Sequence, residues 1–160
     1  MSITIIPAYR HPLEIGRLFS EYTEALASSS PSFQEYLALQ DYQNELIHLE
    51  SKYGMPEGRL YLAFRDGSPA GCVGLRKLDE RNCEMKRLYV RSQYRGARIG
   101  ERLARQVIDD ARAIGYAHML LDTFPFLESA IRMYRALGFY EVERYNDNPM
   151  FIQESTAMVL

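Results

Sequence analysis

The stretch from Cys83 to Gly115, CEMKRLYVRSQYRGARIGERLARQVIDDARAIG, constrains the fold of this chain more than any other. Its first part reads as a strand: Met85, Leu88, Tyr89 and Val90 are apolar, and Tyr89 and Val90 favour a pleated backbone. The chain then turns through Arg91–Gly96 and enters a helix. There Ile99, Leu103, Val107, Ala111 and Ile114 fall on one stripe, and Gly115 supplies the stop. A basic, glycine-containing turn that opens a helix after a strand is an anion site. The first N–H groups of a helix lack intrahelical acceptors, and its dipole is positive at that end. Arg95 and Arg98 add charge of the same sign, which is unfavourable without an anion and points to a phosphate. The G-x-G-x-x-G spacing of a dinucleotide fold is absent.

The rest of the chain supplies elements on both sides of this unit. Residues 2–7 alternate as a first strand, and Pro12, Ile15, Leu18, Phe19, Tyr22 and Leu26 mark a helix that fades in Ala27–Ser30. Pro31 stands near the start of a second helix, with Ser32 and Glu35 spaced as a capping box. Its Phe33, Tyr36, Leu37, Leu39, Tyr42, Leu46 and Leu49 predict a broad buried face. Its Gln34, Glu35, Asp41, Gln43, Glu45 and Glu50 are expected on a solvated one. Leu60–Phe64 and Ala70–Leu75 flank Arg65-Asp66-Gly67-Ser68, a hairpin signal, and Lys77–Asn82 is a second turn. His118–Thr123 is a short strand suited to burial. Pro125 is expected to open a last helix with Leu127, Ala130, Ile131, Tyr134 and Leu137 on one stripe and Gly138 closing it. Tyr140–Arg144 and Phe151–Leu160 hold a final strand pair. The order β-α-α-β-β-β-α-β-α-β-β predicts a single α/β domain over residues 1–160 with a mixed sheet.

Composition narrows the function. At 160 residues, 47% apolar and 25% charged, the chain suits one soluble globular domain. A net charge of -2 and a pI near 5.9 argue against a nucleic-acid or anionic-membrane partner. The basic cluster from Lys86 to Arg105 is local and suits a small anion. The amino terminus is too short an apolar run for a signal peptide, and no stretch approaches a membrane span, so a cytoplasmic location is expected. Cys72 and Cys83 fall in adjacent predicted strands, but nothing marks the chain for export, and free thiols are expected. His11, His48 and His118 share no metal-ligand spacing, and no metal is expected.

Arg95-Gly96-Ala97-Arg98-Ile99-Gly100 resembles the pyrophosphate loop of the GCN5-related N-acetyltransferase (GNAT) superfamily, (Gln/Arg)-x-x-Gly-x-(Gly/Ala), with Arg98 standing at the middle glycine. Glu84–Val90 resembles the family's fourth strand. Ala130–Phe139, where Tyr134 precedes Leu137-Gly138-Phe139, resembles its last helix, although Leu127 stands where an asparagine is frequent. These matches cover residues 60 to 145 in the family's order. The resemblance implies an acyl-CoA N-acyltransferase fold with splayed central strands, and acetyl-CoA as co-substrate. The pyrophosphate would lie at Arg95–Gly100 and the pantetheine would pair with the strand at Leu88, Tyr89 and Val90.

It further implies Glu84 as general base, directly or through water. Read by itself, Glu84 is an exposed carboxylate paired with Lys86. Tyr134, otherwise a core tyrosine, is implied as the group that meets the departing thiolate and contacts the cofactor. The acceptor would be a primary amine of a small molecule or a peptide, with Tyr22, Tyr36, Arg87, Tyr145 and Asn148 as candidates around it. A homodimer is common in such folds. A non-catalytic acyl-CoA-binding sensor is the second reading, supported by Arg98 and Leu127, and a structural domain with a lapsed site is a third.

Overall fold

The computed structural model describes residues 2–29, 42–143 and 156–160. Within them the helices are α1 (Pro12–Ser29), α2 (Tyr42–Ile47), α3 (Leu49–Tyr53), α4 (Ile99–Ile114) and α5 (Glu128–Leu137). The strands are β1 (Ile3–Pro7), β2 (Arg59–Arg65), β3 (Ser68–Lys77), β4 (Asn82–Val90), β5 (His118–Thr123), β6 (Tyr140–Val142) and β7 (Thr156–Val159). The strands form one sheet in the order β1-β2-β3-β4-β5-β7-β6, in which only β4 and β5 pair in parallel. This is the mixed α/β order expected from the sequence. The Asp66-Gly67 step makes the hairpin because both residues take positive φ, 50° and 85°, as a tight turn between twisted strands requires.

The two sheet faces have separate cores. On one, Ile99, Leu103, Ala104 and Val107 of α4, with Tyr134 of α5, pack on Val73, Leu75, Cys83 and Met85. On the other, Ile15, Leu18 and Phe19 of α1, with Tyr53 of α3, pack on Leu60, Leu62 and Cys72. Alternation along each strand sends successive side chains to opposite cores.

Two local expectations are corrected. The long second helix is, in its described part, two short ones that break at His48, whose φ of -121° and ψ of 57° are not helical. Its proposed capping box and Tyr36 lie outside the described residues. Pro125 does not open the last helix. It lies in a turn closed by Leu127 N–H to Phe124 O at 2.9 Å, and helical bonding begins with Ile131 N–H to Leu127 O at 3.0 Å.

The Tyr53 ring lies directly over Gly74, where an added Cβ would come within 2.6 Å of a ring carbon. We therefore predict that Gly74→Ala costs about 1–3 kcal/mol through overpacking. Gly16→Ala, in α1 with nothing within 4 Å of the new methyl, should instead stabilise by about 0.5–1 kcal/mol. Urea unfolding of both variants checks the pair.

Candidate active site

The site originates where β4 and β5 part. They pair only at Asn82–His118, Cys83–Met119 and Glu84–Leu120. Beyond Glu84 the two strands diverge, while β4 stays paired to β3 on its other side. That remaining pairing contains a bulge: Lys86 faces Gly74 and Tyr89 faces Cys72, so Arg87 and Leu88 together oppose Val73. Arg87 takes a left-handed φ of 59°, and its carbonyl accepts a bond from Cys72 Sγ at 3.3 Å.

The bulge resets the alternation. Cys83, Met85, Leu88 and Val90 belong to the α4 core, whereas Tyr89 packs with the α1 core and Glu84, Lys86 and Arg87 make their ion pairs on that face. The apolar spacing 83, 85, 88, 90 carries this signal in the sequence, and the strand reading passed over it. The parted strands leave a cleft lined from both sides of the sheet. Met85, Leu88, Leu121 and Tyr134 come from one face, and Tyr22, Glu84, Lys86 and Arg87 from the other.

The α1–α3 side of the cleft holds a charged network. Arg87 donates to Glu45 through Nε (2.9 Å) and Nη2 (3.1 Å), and Tyr53 Oη donates to the same carboxylate at 3.2 Å. Lys52 completes it. Glu45 was expected on a solvated face; it is instead 2% exposed, because Arg87 draws it inward. Burial alone would raise the Glu45 pKa, but the charges and hydrogen bonds of Arg87 and Lys52 reverse this and hold it at about 2. Glu84 is likewise not an exposed carboxylate. It is 4% exposed, accepts from Arg76 Nε at 2.7 Å, and lies 3.9 Å from Lys86 Nζ.

On the other side, Tyr134 lines the cleft with its ring edge-on to Phe139, centroids 5.7 Å apart. Burial raises its phenol well above the ordinary value, so it stays protonated and able to donate. Beyond the end of β4, the chain passes through Arg95–Arg98 into α4. Gly96 has a φ of 91°, and Arg98 is left-handed at φ 61° and ψ 24°, a backbone state that glycine adopts freely. No side chain caps the start of α4. Arg91 pairs with Glu21 at 2.6 Å and Arg105 with Glu101 at 3.0 Å. Among the described residues no ion pair uses Arg95, Arg98 or Arg102, so the positive charge left over gathers at the helix start.

Leu127 packs against Leu26 and Phe124 instead of offering a polar group. Tyr22 lines the cleft, whereas Tyr145 and Asn148 lie outside the described residues. Cys72 and Cys83 are free and buried, and burial raises both thiols, that of Cys83 to about 12. Neither is an activated nucleophile. No helix is long and apolar enough to cross a membrane, and no group of three metal-ligating side chains occurs among the described residues.

Solved acetyltransferases share this fold at low identity. An acetyltransferase from Streptococcus agalactiae aligns with a TM-score of 0.77 at 19% identity, covering 98% of this chain and 96% of its own. The PaiA N-acetyltransferase of Thermoplasma acidophilum, solved with coenzyme A, aligns at 0.69 and 19% identity, covering 99% and 98%. An N-acetyltransferase of Schizosaccharomyces pombe is 39% identical over 71% of each chain, and one of Dictyostelium discoideum is 30% identical over 93% of this chain and 94% of its own. The acetyltransferase (GNAT) family profile matches residues 17–139, and the chain belongs to that family. It is an acetyl-CoA-dependent acetyltransferase.

The Glu45–Arg87 pair generates a stability prediction. Because the folded pKa of Glu45 lies below its ordinary 4.5, its contribution is complete above that value and is lost as pH falls towards 2. Glu45→Gln leaves Arg87 buried without its countercharge and should cost about 3–5 kcal/mol at pH 7. The exposed Glu101→Gln should cost less than about 1 kcal/mol. The gap between Glu45→Gln and wild type should narrow in unfolding curves taken at decreasing pH.

Proposed function

We propose that this chain transfers the acetyl group of acetyl-CoA directly to a primary amine of a small molecule or peptide, without an acyl-enzyme. The observation that carries this reading is the two-sided cleft, with Tyr134 on one wall and a charged wall of Glu84 and Lys86 opposite. The pyrophosphate would sit at Gly96–Gly100, where N–H groups and the helix dipole converge and where Arg95 and Arg98 stand beside it. Leu88, Tyr89 and Val90 would pair with the pantetheine, adding a ligand strand to the edge that β5 has left. Bulge N–H groups near Leu88 would polarise the thioester carbonyl.

In this arrangement the chain's residues act by position and proton transfer. Held in the cleft, the amine and the carbonyl meet without the entropy loss of a bimolecular encounter. The Glu84 side of the cleft supports removal of the amine proton, and the Tyr134 phenol donates to the thiolate as the C–S bond breaks.

A thiol-release assay with acetyl-CoA and a panel of amines, with a mass gain of one acetyl group on the product, tests the reading. Tyr134→Phe keeps the ring against Phe139 and removes only the donor. Its kcat should fall by ~10²-fold or more with little change in acetyl-CoA affinity. Full activity in this variant would return Tyr134 to a packing role. Arg98→Gly keeps the left-handed turn and removes a charge, so acetyl-CoA affinity and its salt dependence should both weaken. Binding that is unchanged would assign the phosphate contact to the backbone alone.

A further inference from the structure

Lys86 is the one residue of the charged wall that the reading above leaves without a task. Regular alternation with Glu84 places it on the α1–α3 face, just before the bulge, the side from which an acceptor would enter if the thioester lies against Tyr134. Its side chain is 8% exposed and lines the cleft. Its ion pair with Glu84 Oε1, at 3.9 Å, is too long for a hydrogen bond, and that oxygen already accepts from Arg76 Nε at 2.7 Å. Among the described residues, no hydrogen bond uses Lys86 Nζ. Gly74, the register partner of Lys86, has no side chain, and the Tyr53 ring fills that space.

We propose that Lys86 Nζ is the atom that takes the proton from the acceptor amine, with Glu84 as the positioning residue that stabilises the ammonium so formed. This inference rests on the acetyl-transfer reading and assigns the proton acceptor within it. The charged and titratable groups around Lys86 come from every packed element. They are Tyr22 of α1, Glu45 of α2, Lys52 and Tyr53 of α3, Arg76 of β3, Glu84 and Arg87 of β4, Asp122 of β5 and Tyr134 of α5.

The environment prepares the lysine for this step. Burial lowers its pKa first, Glu84 opposes the shift, and the charges of Arg87, Lys52 and Arg76 add to it, leaving it at about 7. A buried amine that is about half neutral near neutral pH has a lone pair to offer.

The steps balance. The acceptor R–NH3+ gives one proton to the Lys86 lone pair, leaving R–NH2 and Lys86–NH3+. The amine lone pair forms the C–N bond at the thioester carbon, and the C–S bond breaks as its electron pair leaves on sulfur. Tyr134 protonates that sulfur and recovers a proton from the amide nitrogen. Lys86 then releases its proton to water. The net change is R–NH3+ plus acetyl-CoA to R–NHCOCH3, CoA-SH and H+.

The pH dependence of kcat/KM in wild type, Lys86→Met, Lys86→Arg and Glu84→Gln tests this assignment, with acetyl-CoA affinity measured alongside. Wild type should show an ascending limb near pH 7. Lys86→Met should lose that limb and fall by ~10²-fold at pH 7 with acetyl-CoA binding retained. Trimethylamine can take a proton but has no N–H to acetylate, so it should restore part of the rate. Lys86→Arg, always protonated, should be as slow as Lys86→Met. In Glu84→Gln the limb should persist but move to lower pH, because the carboxylate that favours the ammonium is gone. Wild-type rate in Lys86→Met or Lys86→Arg, with the limb unmoved, would overturn the assignment while leaving acetyl transfer intact. Absence of thiol release by wild type with every amine would overturn the acetyl-transfer reading and this assignment with it.

Discussion

Among the described residues, the fourth strand keeps a neighbour on one side only beyond Glu84. Backbone groups on such a strand edge need partners, and an edge open inside a sheet can take a ligand as one. The bulge at Arg87 and Leu88 accompanies the parting and allows two adjacent polar side chains, Lys86 and Arg87, to face the same way. A left-handed arginine costs about 1–2 kcal/mol relative to ordinary backbone. The two-pronged contact with Glu45, closed off by Lys52 and Tyr53, anchors it in place. The second helix region thus acts on the site electrostatically, from 42 positions away in the chain.

The sheet also separates two kinds of chemistry. On the α4–α5 face the cleft is apolar apart from the Tyr134 phenol, which suits a thioester and its departing sulfur. On the α1–α3 face the groups are charged or titratable, with Glu84 held by Arg76 and Arg87 by Glu45, which suits the handling of a charged amine. A strictly alternating strand would have sent Arg87 into the apolar core and Leu88 into the ionic network. One extra residue in the ladder prevents both.

Much of this was legible in the sequence, for local reasons. The Asp66-Gly67 turn, the stripe on α4 and its Gly115 stop depend on neighbours within a few residues, and the structure has them as read. The family resemblance rested on Arg95–Gly100 and on Tyr134 with Leu137-Gly138-Phe139, and membership is established over residues 17–139. What could not be read was set by distant partners. Glu45 looked like one more acid on a polar face because nothing near it in sequence announces Arg87. Glu84 looked exposed because its partner Arg76 lies across a strand pair. The bulge is present in the spacing of Cys83, Met85, Leu88 and Val90, but Tyr89 between the last two merges them into one apolar run and hides it. The break at His48 has no proline or glycine to mark it.

The central claim is that the parted strand and the uncapped start of α4 bind one ligand together. The most direct measurement is a titration of isotopically labelled protein with coenzyme A, followed through its backbone amide resonances. The account predicts concerted, saturable shifts at Leu88, Tyr89, Val90 and Gly96–Gly100, with Tyr134 responding in parallel. Shifts confined to the far end of α4 and the start of β5, around Ala111, Tyr116 and Met119, or affecting the helix start without the strand, would contradict it.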